Sequence, residues 1–145
     1  MAAGAWTLYN QARRYIMDGT LDINTNAWRL MLCTSASNAG TTTLSTKSQL
    51  TSEVAEAFGY SSSGKALPNV KWTIGASAGE MKFTCDAFFW SAAGGDINAV
   101  KFGVIFDPAS GKLLCRSQLS TAQFAVTNGN RLTITPAATG IFYVR

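Results

Sequence analysis

The first apolar positions of the chain follow a helical period. They recur three or four residues apart, at Leu8, Ala12, Tyr15 and Ile16, and so line one face of a helix. Thr7 can cap its start, and Gly19 can adopt the left-handed conformation that often ends a helix. We therefore predict one short helix over residues 7–18, within an N-terminal helical segment of residues 1–19.

After Gly19 the apolar positions alternate with polar ones, which is the period of a half-buried strand. The first such run is Trp28–Cys33, and from Val70 onward one run follows another. The later runs are Val70–Ile74, Met81–Trp90, Val100–Phe106, Leu113–Leu119, Phe124–Val126, Leu132–Ile134 and Ile141–Val144. The pattern predicts about eight short strands.

Turn sequences separate these strands. Asp107–Gly111 holds a proline and a glycine that favour a tight turn, and Gly94-Gly95 marks another. Asn128-Gly129-Asn130 lies between two apolar runs and predicts a hairpin that joins them. Short strands with turns at this spacing are typical of a mainly β domain, either an antiparallel β-sandwich or a jelly-roll-like fold. We expect residues 1–145 to form that single domain with one short N-terminal helix.

The region between the first strand and the later ones is rich in Ser and Thr. Residues 34–52 have neither a helix nor a strand period and predict a long exposed loop, a kind of loop that is usually functional or mobile. A short helical turn is expected at Thr51–Phe58, because Thr51 and Glu53 suit its first turn. Residues 59–64 are expected to form another turn or loop.

The low charge of the chain indicates a surface that is poorly solvated. Charged residues make up 14% of the sequence, against about 25% in an average globular domain. A surface with so little charge is poorly solvated alone, so we expect a partner to cover part of it.

The net charge of +4 is unevenly placed. The whole excess lies after Asp107, in Lys112, Arg116, Arg131 and Arg145. These cations favour an acidic partner surface near the C-terminal strands, and the alternative is that they only keep the surface soluble. They are too sparse for the clustered cations that nucleic acid binding requires.

Histidine is absent, and the cysteines, Cys33, Cys85 and Cys115, stand far apart. The absence of histidine excludes Ser-His-Asp and Cys-His nucleophiles and His-ligated metals. Isolated cysteines make a poor zinc site and are expected to pack as free thiols in a reducing compartment. We therefore expect no cofactor, no metal and no enzymatic activity. The apolar runs are also too short for a membrane span, and none has the order of a signal peptide.

One segment partly matches a phosphate-binding loop. Gly59–Lys65 has the glycine and lysine spacing of that motif, but Ala66 stands where it requires a magnesium-binding Ser or Thr. A Ser–Lys hydrolase dyad from Ser61–Ser63 and Lys65 would need a buried, deprotonated lysine. A flexible Ser-rich loop with a solvated lysine accounts better for both patterns.

Most aromatic residues fall at core positions of the predicted strands. Trp6, Tyr9 and Tyr60 do not, and they are expected to anchor a protein interface, where Trp and Tyr are enriched. Asp86 stands among aromatic residues and is the acid expected to be partly buried, held by a structural hydrogen bond. The predicted interface residues are Trp6, Tyr9, Arg13, Arg14, Tyr60, Arg116, Arg131 and Arg145.

Several motifs carry a resemblance to a known family. They are Tyr15–Gly19, Trp28–Leu32, Ser63–Leu67, Gly94–Ile97, Val104–Asp107, Gly111–Leu114 and Asn128–Ile134. Together they resemble small virion proteins encoded among the structural genes of tailed bacteriophages, some of which are capsid cement or decoration proteins on an HK97-type shell. The resemblance covers nearly the whole chain. It rests on turn and core residues, so it is more specific for the fold than for a position in the virion.

The resemblance implies a structural virion protein that binds and stabilises a bacteriophage capsid shell. Such a protein is made in the bacterial host cytoplasm and stands on the capsid exterior. Its expected partners are the major capsid protein of the HK97-type shell and further copies of itself, as a homo-dimer or homo-trimer, with no nucleic acid and no membrane. The N-terminal segment and residues 34–52 are expected to reach neighbouring subunits. The alternatives are a tail or head–tail structural component and a glycan-binding β-sandwich module.

Overall fold

Antiparallel strands dominate the computed structural model, which describes residues 5–24 and 27–145. The strands of these residues are β1 (Thr7–Leu8), β2 (Arg29–Cys33), β3 (Lys65–Ala66), β4 (Lys71–Ile74), β5 (Met81–Thr84), β6 (Phe88–Ser91), β7 (Ile97–Val100), β8 (Phe102–Phe106), β9 (Leu113–Gln118), β10 (Phe124–Val126), β11 (Arg131–Ile134) and β12 (Phe142–Val144). One α-helix, α1 (Asn10–Met17), and a 3₁₀ turn (Lys47–Gln49) complete the regular structure of the described ranges. The prediction of a mainly β, sandwich-like fold with one short N-terminal helix is confirmed. Residues 1–4 of the predicted helical segment lie outside the described residues.

Helix α1 starts later than its apolar period predicts. Thr7 and Leu8 pair with Arg116 and Cys115 of β9 and form an edge strand, so the helix begins only at Asn10. Backbone pairing with the sheet thus overrides the helical period at this end, as tertiary context commonly does.

Five strands form the largest sheet, in the order β1-β9-β8-β2-β3. The sequences of β2 and β8 are apolar at consecutive positions because both faces of these strands are buried. A second sheet has the order β12-β5-β4. Its Trp72, Phe83 and Phe142 form one cross-strand row, and the edge of Phe83 meets the ring of Trp28 with centroids 5.9 Å apart. This row belongs to the same hydrophobic core as β2 and β8.

The strands β6 to β11 form one long, bent antiparallel ribbon. β8 pairs with β9, β7 with β10 and β6 with β11, so residues 88–106 run beside residues 113–134. The predicted turn at Asp107–Gly111 closes the ribbon at one end, as expected. Irregular segments at residues 92–96 and 127–130 bend it, which separates the ladder of β6 and β11 from that of β7 and β10.

The hairpin predicted at Asn128-Gly129-Asn130 is wrong. The two strands that flank this turn pair with β7 and β6, not with each other. The polar groups of the turn are bound to the neighbouring bend: Asn128 N donates to Asp96 Oδ1 (2.8 Å), and Gly94 N donates to Asn128 Oδ1 (3.1 Å). The turn therefore bends a strand and does not reverse it.

Residues 34–52 are packed more firmly than the predicted exposed loop. Ala39 is fully buried and Leu44 nearly so. Asn38 Nδ2 donates to the Gln49 carbonyl (2.8 Å), which ties the two ends of the loop together. The loop thus contributes to the core as well as to the surface.

The helical turn predicted at Thr51–Phe58 is also wrong. Ser52 and Phe58 have positive φ, and Glu53 forms a β-bridge with Cys33. The helical signal is found a few residues earlier, where the side chain of Gln49 caps the 3₁₀ turn at Thr46. The β-bridge to Cys33, at the end of β2, holds this segment in an extended conformation although its local sequence favours a helix.

Candidate functional site

Two of the predicted interface anchors lie in the core. Tyr9 is 0% and Tyr60 is 2% exposed, so the prediction that they stand outside the core is wrong. Tyr9 OH donates to the Ala39 carbonyl (2.8 Å). Tyr60 OH accepts from Leu32 N (3.0 Å) and donates to Glu53 Oε1 (2.8 Å). A tyrosine whose hydroxyl finds such partners can be buried, and burial raises the pKa of both phenols above its ordinary value.

The other N-terminal candidates are accessible. Trp6 is partly buried and packs over Gly103, where a Cβ atom would lie 3.4 Å from its ring. Arg13 and Arg14 are exposed on α1, and Arg14 Nε lies 3.8 Å from Asp18 Oδ2. Hydrogen bonds from Thr20, more than the nearby arginine, lower the pKa of Asp18. These side chains remain candidates for an interface.

The C-terminal cations lie on three different sheets. Arg116 is on β9, and its Nε is buried without a hydrogen-bond partner. Arg131 is on β11, and Arg145 follows β12, where its Nε donates to Glu80 Oε2 (2.9 Å). Lys112 Nζ lies 5.3 Å from the centre of the Tyr15 ring. Each cation therefore has its own surroundings, and an acidic partner would meet them as separate contacts.

The prediction for buried acids is wrong at Asp86. Asp86 is exposed, and its Oδ2 accepts a hydrogen bond from Asn69 Nδ2 at the surface (3.2 Å). The buried acids are Glu80 and Asp107, at 3% and 4% exposure. Asp107 Oδ2 accepts from Ser110 Oγ (2.6 Å) within the ribbon turn, a local bond that the turn sequence itself brings about.

The cysteines are free and buried, as predicted. Burial raises the pKa of the Cys33 and Cys85 thiols to about 11 and that of Cys115 well above its ordinary value. Because the thiolate is the nucleophile and the metal ligand, burial disfavours the form of these thiols that reacts or binds metal.

A polar cluster surrounds Ser63 in the partial phosphate-binding motif. Lys47 Nζ, and not Lys65, donates to Ser63 Oγ, while Ser63 N donates to Glu53 Oε1. Ser63 has φ 67°, a left-handed conformation that costs about 1–3 kcal/mol for a residue other than glycine. Arg29 adds bonds to the carbonyls of Ser63 (3.2 Å) and Gly64 (2.6 Å). The cluster therefore holds a strained turn against β2.

An exposed aromatic ring in contact with two cations is the feature that the sequence did not single out. Phe89 is 41% exposed. The guanidinium carbon of Arg131 lies 4.4 Å and Lys65 Nζ 5.4 Å from the centre of its ring. Neither cation forms an ion pair with any residue of the described ranges. We call Lys65, Phe89 and Arg131 the cation–aromatic patch. Its one sequence signal is the apolar run at residues 87–90, which places one aromatic side chain on the outer face of the strand.

A free strand edge lies beside this patch. Among the described residues β10 pairs with β7 alone and β11 with β6 alone. A groove of about 300 Å³ follows β10, the turn after it and β11. Its apolar wall is Leu119, Phe124, Val126, Leu132 and Ile134, and Arg131 is the one charged residue that lines it. We call this feature the edge groove.

The described residues contain no cluster of three His, Cys, Asp or Glu side chains suited to a metal ion. No helix in these residues has the length and apolar character needed to cross a membrane. Comparisons with protein-family models, with curated proteins and with solved structures found no match to this chain.

Proposed function

We propose that the protein is a structural subunit of a tailed-bacteriophage virion that binds and stabilises the outside of the capsid shell together with further copies of itself. The observation that carries the proposal is the combination of a free strand edge with apolar side chains exposed on different sheets. A subunit that acts by covering a shell needs contact area and accessible strand edges. It needs no reaction site.

The sheet β12-β5-β4 offers one such contact strip. Ile74, Met81 and Val144 face one another across its strands, on the same face as the core row but beyond it. Ile74 is 75% and Val144 48% exposed. An apolar row of this kind supports a surface that a neighbouring subunit covers.

The N-terminal segment is a second candidate contact. Trp6, Arg13 and Arg14 are accessible there, but Tyr9 and Ala12 are fully buried. Deleting residues 1–18 would therefore disrupt the core as well as any contact with the shell. Substitution of Trp6, Arg13 and Arg14 is the cleaner test of this segment.

The copy number of the chain in purified particles tests the proposed function. Quantitative mass spectrometry is expected to give a ratio to the major shell protein near one, or a simple fraction of it. A handful of copies per particle would move the protein to the tail or neck. Its absence from particles would overturn the proposal.

A glycan-binding module is a second candidate, favoured by one cleft. A cavity of about 500 Å³ is lined by Trp6 and Tyr143 together with Thr135 and Thr139. Aromatic faces beside hydroxyl groups suit the alternating apolar and polar faces of a sugar ring. Saturable quenching of tryptophan fluorescence by a neutral sugar, lost in Trp6→Ala, would favour this alternative.

A further inference from the structure

The edge groove and the cation–aromatic patch share Arg131 and carry one inference together. We propose that the edge groove binds an extended, acidic segment of the shell protein, which adds to β10 and β11 as a further strand. The inference rests on the proposed function for the identity of the partner, and it names the surface and the chemistry of the contact.

The free edge lacks two residue types that commonly protect an edge against strand addition. Natural edge strands are often blocked by lysine or proline. The segment 124–134 contains neither lysine nor proline, and its one charged residue is Arg131. Along β11 the free edge presents backbone donors and acceptors at a regular spacing, which is how extended peptides are recognised.

The side chains along the groove also suit an extended occupant. Leu132 and Ile134 lie two residues apart on β11, and Phe124 and Val126 two apart on β10. Alternate side chains of a strand lie on one face, so a segment added along β10 or β11 meets an apolar side chain at every second position within each strand. The polar turn at residues 127–130 lies between these two apolar stretches. The groove therefore favours a segment with apolar residues at alternate positions.

The charge of the groove favours an acidic segment. Arg131 of β11 and Lys65 of β3 both lie near the Phe89 ring, and neither has an acidic partner among the described residues. The sequence has no acid after Asp107. Pairing of this edge with the same edge of a second copy would bring no carboxylate to Arg131, so another protein is favoured. A guanidinium can bind a carboxylate through two hydrogen bonds while its face rests on an aromatic ring.

The test uses shells from which this chain has been stripped and measures rebinding of the full chain by co-sedimentation. Arg131→Glu is expected to weaken binding at least about tenfold, because it removes the cation and repels the acidic segment. Lys71→Glu is the matched control, since Lys71 is exposed on β4 and the charge change is the same. Hydrogen exchange of the bound wild type is expected to show protection of amides within residues 124–134.

A second variant keeps the test decisive if Arg131→Glu fails to fold. Thr133→Lys places a lysine on the exposed edge, as natural edge strands do, and is also expected to weaken binding. Equal binding of wild type, Arg131→Glu and Thr133→Lys would overturn the inference and leave the proposed function intact. Weakened binding without protection of amides in residues 124–134 would overturn the proposal that the shell segment adds as a further strand. Failure of the wild type to bind stripped shells would overturn the proposed function and this inference with it.

Discussion

At the scale of single residues, the hydroxyl of Tyr60 connects two parts of the core. It accepts from the backbone of Leu32, 28 residues away, and donates to Glu53. The hydroxyl of Tyr9 donates to the carbonyl of Ala39, 30 residues away. Neither partner can be identified from local sequence, which is why the two tyrosines were predicted at the surface. An alternating pattern identifies buried positions within strands but not in loops that fold back on the core.

Tyr60→Phe is expected to lower the free energy of unfolding by about 1–3 kcal/mol, because the buried N–H of Leu32 loses its partner. Tyr143→Phe is the control, since Tyr143 is 46% exposed. Urea denaturation followed by tryptophan fluorescence measures both. Equal stabilities of Tyr60→Phe and Tyr143→Phe would contradict the role assigned to the Tyr60 hydroxyl.

At the scale of elements, the positions of most strands could be predicted from the sequence but their partners could not. Alternation located β2, β4, β8, β9 and β12 closely. The run Met81–Trp90, predicted as one strand, is divided between β5 and β6, and β1, β3 and β7 were not predicted as strands. The Asn-Gly signal at residues 128–130 indicated a turn correctly and the pairing wrongly, because bonds to residues 94 and 96 decide where the chain goes. The cation–aromatic patch depends on the same unpredicted pairing, since the contact of β11 with β6 brings Arg131 to Phe89.

The turn before β3 shows how closely two elements approach. Gly64 has φ +69°, and a Cβ atom there would lie 1.8 Å from the Leu30 carbonyl oxygen of β2. Gly129 has a similar φ of +86° but open space around it. Gly129→Ala is expected to cost about 1–2 kcal/mol from backbone strain alone, and Gly64→Ala at least about 4 kcal/mol because β3 must also move away from β2.

Chemical denaturation of the two glycine variants checks this difference. Similar losses of stability in both would show that the contact between the turn and β2 is looser than the structure has it. Circular dichroism of each variant before denaturation confirms that the starting state is folded.

At the scale of the whole molecule, one hydrophobic core includes residues from both ends of the chain. Tyr9 and Phe142 belong to the same cluster of buried residues as β2 and β8. That core also holds Cys33, Cys85 and Cys115, so their ionisation is coupled to global unfolding. The single-domain organisation stays a prediction. The place in a virion also stays a prediction, since surface contacts with other molecules leave no signal in the packing of one chain.

The stability of the molecule is expected to fall at alkaline pH. In the folded chain the pKa of the Cys33 and Cys85 thiols is raised to about 11, from 9.0 for an unburied thiol. The stabilisation is therefore fully present below pH 9 and is lost as the pH rises toward 11, because the unfolded chain releases its protons first. Urea denaturation at several pH values measures this slope.

Cysteine variants provide the control for the pH series. Cys33→Ala and Cys85→Ala are each expected to flatten the fall in stability above pH 9. An unchanged slope would assign the alkaline loss to other groups, such as the buried tyrosines.

The arrangement of the sheet β12-β5-β4 has a consequence for synthesis of the chain. Phe83 of β5 is packed on one side by Phe142, with ring centroids 5.2 Å apart, yet 59 residues of translation separate the two. Until β12 leaves the ribosome, β5 remains an edge strand and Phe83 lacks its contact with Phe142. Nascent chains without β12 therefore expose aromatic surface of the kind that chaperones and proteases recognise.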